Sequence, residues 1–201
     1  MYDSLDDDWV WDGVPVEHLW VFDKLILAKK CGHLAAPVGI DVPHSGWYII
    51  RPCVHVMGFG LGAQRVWIEK KTDEYPLGHF WCEWFTGRHL SVDYSYGKQT
   101  LCVEGVKPTD NADLTRWTAW RKTSDEMRLP EILSSFTDYP HVNCEFIDGK
   151  LIEVHLRHNP DFRWGQQEYI PVWEGESINP PDGYSFVDDS EVHGRIGAFI
   201  K

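Results

Sequence analysis

The chain has 201 residues, 43% of them hydrophobic and including 11 Trp, 9 Phe and 8 Tyr, enough apolar bulk for one domain or two small subdomains around a cleft and too much for a disordered chain. A net charge of −12 repels phosphate backbones and argues against nucleic acid as a partner. Five widely spaced cysteines without a Cys-x-x-Cys pair, an acidic start and no run of about 18 apolar residues read as reduced thiols in a cytoplasmic protein that does not span a membrane.

Residues 1–20 form an acidic arm around Asp6 to Asp8, which reads as a solvated terminus or a docking arm. Asp23 is placed to cap a helix running to about Cys31, with Leu25, Ala28 and Cys31 at helical spacing and Gly32 ending it. Strands are predicted at Trp47 to Arg51 and at Gln64 to Glu69, joined by the glycine-rich segment Gly58 to Gly62. From His89 to Tyr96 the alternation is strict, with Leu90, Val92, Tyr94 and Tyr96 on a buried face and Ser91, Asp93 and Ser95 on the other. Leu101 to Val103 and Trp117 to Arg121 are further strands, separated by a loop containing Pro108, Asp110 and Asn111, and a helix around Pro130 to Phe136 precedes a final hairpin.

That hairpin, VNCEFIDGKLIEVHLR, is the most informative segment. Val142, Cys144 and Phe146 alternate with Asn143 and Glu145; after Asp148-Gly149, Ile152, Val154 and Leu156 alternate with Glu153, His155 and Arg157. A two-residue turn would send Glu145 and Glu153 to opposite faces. A three-residue loop, Ile147 to Gly149 with the glycine in a bulge, puts all five polar residues on one side and is the expected register. Two carboxylates side by side repel, and a hard divalent cation between them, magnesium before manganese, would relieve this. Taken alone, the hairpin reads first as a surface element with a solvated outer face, and only its context argues otherwise.

Four segments in this order resemble the ATP-grasp superfamily. FDKLILAKKCGHLAAPV is similar to that family's opening Asp-Lys, helix, glycine and proline, which makes Lys24 its first phosphate-binding lysine. YIIRPCVHVMGFGLGA resembles the strand ending in Lys-Pro or Arg-Pro before a glycine-rich loop, so Arg51 takes the basic position and Gly58, Gly60 and Gly62 the phosphate loop. CEWFTGRHLSVDY resembles the nucleotide hinge, where the carbonyl of Cys82 or Glu83 and the amide of Phe85 would read adenine, ATP would sit against Trp84 and Phe85, and His89 would contact ribose. The hairpin is similar to the metal-binding strands, with Glu145 and Glu153 as ligands, His155 in place of the usual Asn, and Arg157 stabilising charge on the transferring group.

The resemblance implies an α+β fold holding ATP between antiparallel sheets: a core over 21–160, with a lid subdomain at about 33–78 and a larger one at about 79–160, and an extension at 161–201 that completes the fold or the acceptor site. It implies an ATP- and magnesium-dependent ligase, with Arg51 and Arg157 catalytic, that activates a carboxylate as an acylphosphate and joins it to an amine, either substrate being small or carried on a peptide or protein. An ATP-grasp kinase and a catalytically silent nucleotide-binding module are the alternatives. Only about 20 residues precede Asp23, so the family's additional N-terminal domain is expected to be replaced by the tail, where Arg163, Trp164 and Gln166 could meet an acceptor carboxylate or simply pack, by a second copy in a homo-oligomer, or by a partner.

Overall fold

The computed structural model describes residues 13–54, 60–107, 114–190 and 194–201. The acidic stretch Asp6 to Asp8, Gly58, and the loop residues Pro108, Asp110 and Asn111 lie outside them. Two antiparallel sheets and little helix make up the α+β architecture. Strands β1 (Ala35–Pro37), β2 (Gly46–Pro52), β3 (Gln64–Ile68) and β4 (His79–Glu83) form a small sheet in the order β1-β4-β2-β3. Strands β5 (His89–Ser95), β6 (Lys98–Val106), β7 (Ala119–Lys122), β8 (Val142–Ile147), β9 (Lys150–His155), β10 (Glu168–Trp173), β11 (Ser185–Val187) and β12 (Arg195–Ile200) form a large one in the order β11-β12-β10-β7-β6-β5-β8-β9. The hairpin β8-β9 is therefore not the last: the tail adds three strands to the same sheet.

The helix α1 (Lys24–Lys30) starts where the sequence predicts, since the Asp23 carboxylate accepts from the Ile26 amide at 2.9 Å and occupies one of the free donors of the first turn. Its inward face is Lys24, Leu27 and Ala28, while Leu25 and Cys31 are only half buried. It ends at Gly32, whose φ of 75° suits a residue without Cβ. The predicted helix at Pro130 to Phe136 is a 3-10 helix over Glu131–Phe136 that buries Leu133 and Phe136.

One face of the large sheet carries the main core. Leu90, Val92, Tyr94, Cys144, Phe146 and Val154 pack there against Val21, Phe22, Leu27, Leu133 and Phe136 from the helical segments. The other face is not solvated either: Ser91 and Asp93 of β5 are buried as well. The small sheet is likewise two-sided, with Tyr48, Ile50, Ile68 and Trp81 in one cluster, and Ala35, Phe80 and Cys82 packed with Ala28 of α1 and Ile49 in another.

The β8-β9 hairpin corrects the expected loop. Its turn is the two residues Asp148-Gly149, both at positive φ (49° and 77°), the geometry of a type I′ turn. Ile147 pairs with Lys150 and Phe146 with Leu151, but Glu145 pairs with Glu153 and Asn143 with His155, because a bulge at Ile152 shifts the register by one residue. Glu145 and Glu153 thus share a face as expected, for a different reason, and Leu151 instead of Ile152 joins Val154 and Leu156 in the core.

Candidate active-site cleft

The cleft lies between the sheets. From the small sheet come Ile49 and Arg51 of β2, two residues apart and so on one face, together with Trp84 at the exit of β4. From the large sheet come His89 and Ser91 of β5, Asn143, Glu145 and Ile147 of β8, and Glu153 and His155 of β9, continued by Arg157 and Asn159. All five polar residues of the hairpin pattern face this space, and the bulge turns Ile152 into it as well.

Glu153 is its electrostatic centre. The carboxylate is 5% exposed and meets Lys24 Nζ at 3.0 Å, Arg51 at 2.5 Å and His155 Nε2 at 3.2 Å. Burial alone would raise its pKa, but Lys24 and Arg51, with His155, hold it well below the usual carboxylate range. Glu145, directly opposite, accepts from His89 Nε2 at 3.0 Å, and that bond lowers its carboxyl against the opposing effects of burial and of Glu153. With Nε2 donating, Nδ1 of a neutral His89 ring is an acceptor, and it is buried with no partner among the described residues. Arg157, 6% exposed, donates to the His158 carbonyl at 3.3 Å, while its buried Nε has no partner among the described residues.

Behind these groups a polar network fixes the strands. The Asn143 amide donates to Ser91 Oγ and to Asp93, each at 2.8 Å, and Asp93 also accepts from the Asn159 amide at 2.9 Å. Burial raises the Asp93 carboxyl to about 6 despite these bonds.

A narrower slot opens beside Glu153, lined by Ile49 from one sheet, Ile147 and Ile152 from the other, Glu83 at the end of β4, Trp84 and Phe85 from the connecting segment that follows, and Lys24 and Arg51. Glu83 and Trp84 amides are bonded to the Leu34 and Trp47 carbonyls at 3.0 and 3.2 Å, whereas the Phe85 amide has no acceptor among the described residues. The segment is pinned at Gly87, where φ is +123° and a Cβ would fall 2.7 Å from Asp148 Cβ; the Asp148 amide donates to the Arg88 carbonyl at 2.9 Å. The connecting segment and the turn of β8-β9 therefore hold one another.

No family model and no curated protein matches the sequence. Among solved structures, the N5-carboxyaminoimidazole synthetase of Staphylococcus aureus, complexed with ADP, superposes on 90% of this chain and 67% of its own, with a TM-score of 0.55 at 11% identity. The chain has the ATP-grasp fold. The N5-carboxyaminoimidazole synthase of Aspergillus clavatus, in complex with ADP and 5-aminoimidazole ribonucleotide, is similar over 90% of this chain and 68% of its own (TM-score 0.50, 9% identity). An ATP-grasp superfamily protein of Archaeoglobus fulgidus matches over the same share of this chain and 64% of its own (TM-score 0.49, 15% identity). This chain spans roughly two thirds of the length of these ATP-grasp structures.

Within the ATP-grasp fold the residues expected from sequence fall into three sets. Lys24, Arg51, Glu145, Glu153, His155, Arg157 and His89 converge on the cleft, and Gly60 lines it, while Gly62 lies in the same turn. Cys82, Glu83, Trp84 and Phe85 line the slot or its mouth. Arg163, Trp164 and Gln166 do not line the cleft: they are bonded to Asp189, stacked on Tyr169, and bonded to the Asp161 carbonyl at 2.5 Å, respectively. The tail instead contributes Asp161, Pro171, Trp173 and Arg195, and the β6-β7 region contributes Lys107, Trp117 and Trp120, none of which a sequence motif marked. Two facing carboxylates suit a hard cation such as magnesium; the imidazole of His155, engaged with Glu153, adds no oxygen donor, and no group of three or more His, Cys, Asp or Glu among the described residues is arranged as a metal site.

Proposed function

We propose that the chain is an ATP-dependent carboxylate–amine ligase. The observation that carries this reading is the meeting, in one cleft of an ATP-grasp fold, of two buried cations, Lys24 and Arg51, with a facing pair of carboxylates, Glu145 and Glu153.

Adenine would lie between Ile49 and the Ile147/Ile152 pair, with the open Phe85 amide donating to a ring nitrogen. A ribose hydroxyl would donate to His89 Nδ1. The triphosphate would take Lys24 and Arg51 from Glu153, exchanging one anionic partner for another. A divalent cation, when bound, would rest on Glu145 and Glu153 and neutralise phosphate charge. An acceptor carboxylate oxygen attacks the γ-phosphorus in line, the bond to the β-phosphate oxygen breaks and ADP leaves. An amine then attacks the acyl carbon, a proton leaves the nitrogen, and the C–O bond to phosphate breaks to give an amide. Arg157, buried and with no partner for its Nε among the described residues, is suited to meet the oxyanion of that step.

Calorimetry with ATP and magnesium on the wild type and Arg51→Met tests the nucleotide half: micromolar binding that falls at least about tenfold in the variant is expected. Absence of binding by the wild type would sink the proposal. The second reading, a silent nucleotide-binding module, is favoured by the engagement of both Glu153 oxygens with protein cations. Binding without magnesium-dependent phosphate release would select it, and a phosphorylated acceptor that accumulates as the final product, with no phosphate released and no amide formed when amines are added, would select a kinase.

A further inference from the structure

The cleft continues past Glu145 across β5, β6 and β7 into a region of which the nucleotide reading uses only His89, at its edge. Its floor is set by register: His89 pairs with Gly105 and Gly105 with Trp120, so these three lie in a row across the sheet. A glycine inside a nine-residue strand weakens it, and here the missing side chain has a use. A Cβ on Gly105 would fall 2.5 Å from Trp117 Cζ3 and 2.9 Å from Trp120 Cζ3, so both indoles lie directly on the strand backbone. Their centroids are 4.5 Å apart, and His89 meets the Trp117 ring edge-on at 4.6 Å. Trp120 is buried, but Trp117 is half exposed and lines the cleft.

Lys107 stands over this floor. Its ammonium lies 5.0 Å from the Trp117 ring centre and 5.7 Å from that of Trp84, which comes from the connecting segment on the other side. No carboxylate among the described residues forms an ion pair with it. Burial lowers its pKa while Glu145 raises it, so the charge is partly desolvated and without a close counterion. Of the four cations that line the cleft, Arg51 is paired with Glu153 and Arg195 with Asp161 and Asp189, whereas Lys107 and Arg157 form no ion pair among the described residues.

We propose that this region is the acceptor subsite and that it takes a carboxylate carried on a planar apolar body, the body seated on Trp117 and Trp120 and the charge directed toward Lys107. The proposal rests on the ligase reading and names the substrate class for it. Indole faces also attract ammonium groups, but Lys107 would repel one. The nucleotide reading seats adenine elsewhere, in the aliphatic slot beside Phe85.

The test uses the full chain and three probes, phenylacetate, acetate and phenethylamine, titrated by ligand-observed NMR without nucleotide. Phenylacetate should bind at least about tenfold more tightly than acetate, and phenethylamine should not compete. Lys107→Met, a near-isosteric change, should weaken phenylacetate about tenfold and leave ATP affinity within about twofold. Equal binding of acetate and phenylacetate, preference for the amine, or an unchanged phenylacetate affinity in Lys107→Met would overturn the proposal, as would an equal loss of ATP affinity, which would make Lys107 part of the nucleotide site. A wild type that binds phenylacetate but not ATP would keep the subsite and sink the nucleotide reading.

Discussion

Replacing Glu153 by glutamine removes the negative charge that Lys24 and Arg51 share while keeping the size of the side chain. The two cations, 6% and 8% exposed, are then left in a protein-lined space with at most an amide oxygen between them. At an effective dielectric of about 20, a pair of unit charges at the 3.0 Å Lys24–Glu153 separation interacts by about 5 kcal/mol before desolvation is subtracted. Removing one member of a buried pair costs about 3–5 kcal/mol, and glutamine still offers one acceptor, so about 3 kcal/mol is the expected loss. For a chain of this size that lowers the melting midpoint by about 6–12 °C at neutral pH. The sign with pH follows from the depressed carboxyl: the stabilisation is complete above the ordinary glutamate value and fades as pH falls through the lower folded value, so the gap between the proteins should close in acid. ATP without magnesium should raise the variant's midpoint more than the wild type's, since its phosphates replace the missing counter-charge. Thermal denaturation followed by circular dichroism reads all three effects. A variant melting within about 1 °C of the wild type at pH 7 would refute the argument that Glu153 neutralises a buried pair of cations.

Two further outcomes follow from single residues. Burial raises the Asp93 carboxyl from 3.8 to about 6, so ionising it in the folded state opposes stability: between pH 4 and pH 7 the wild type should lose roughly 3 kcal/mol relative to Asp93→Asn, about two pH units at ~1.4 kcal/mol each. Chemical denaturation across that range, with a carboxyl NMR titration centred near 6, checks it; parallel curves would contradict the assignment. Gly87→Ala combines a positive φ with a Cβ 2.7 Å from Asp148, and should destabilise by about 1–3 kcal/mol and weaken ATP binding through the displaced Phe85 amide. A neutral substitution in both denaturation and calorimetry would mean that the segment and the turn do not hold one another.

The sequence pattern went far at the hairpin and little further outward. Alternation identified which side chains share a face, because parity is a property of the strand and survives any way of restoring it. It did not reveal how parity is restored: Asp148-Gly149 is a good two-residue turn, and the compensating extra residue sits three positions later, at Ile152, where nothing in the local composition marks it. The partners of Glu153 were beyond reach in a similar way, since Arg51 is 102 residues away and only the approach of two sheets brings it there. The tail's strands carry no motif, and β10 contains Pro171, a residue that by itself argues against a sheet interior. In the fold β10 pairs with β7 only through Glu168 and Tyr169, so by Pro171 that side of the strand has no ladder to complete. Trp117 and Trp120 carried no signal beyond apolarity, and their role depends on a glycine one strand away.

The bulge at Ile152 determines which kinds of genetic change the site can survive. Removing that extra residue would leave a regular two-residue hairpin in which Glu145 still faces Glu153 and Cys144 still faces Val154, so both the core set and the cleft set stay where they are. A two-residue deletion from the same stretch has no bulge left to absorb it and would exchange the sets, sending Val154 into the cleft and Glu153 into an apolar core. The loss of a single residue should therefore be accepted between turn and carboxylate where the loss of two is not, which makes the alternation beyond Glu153 a more rigid property of the chain than its distance from the turn.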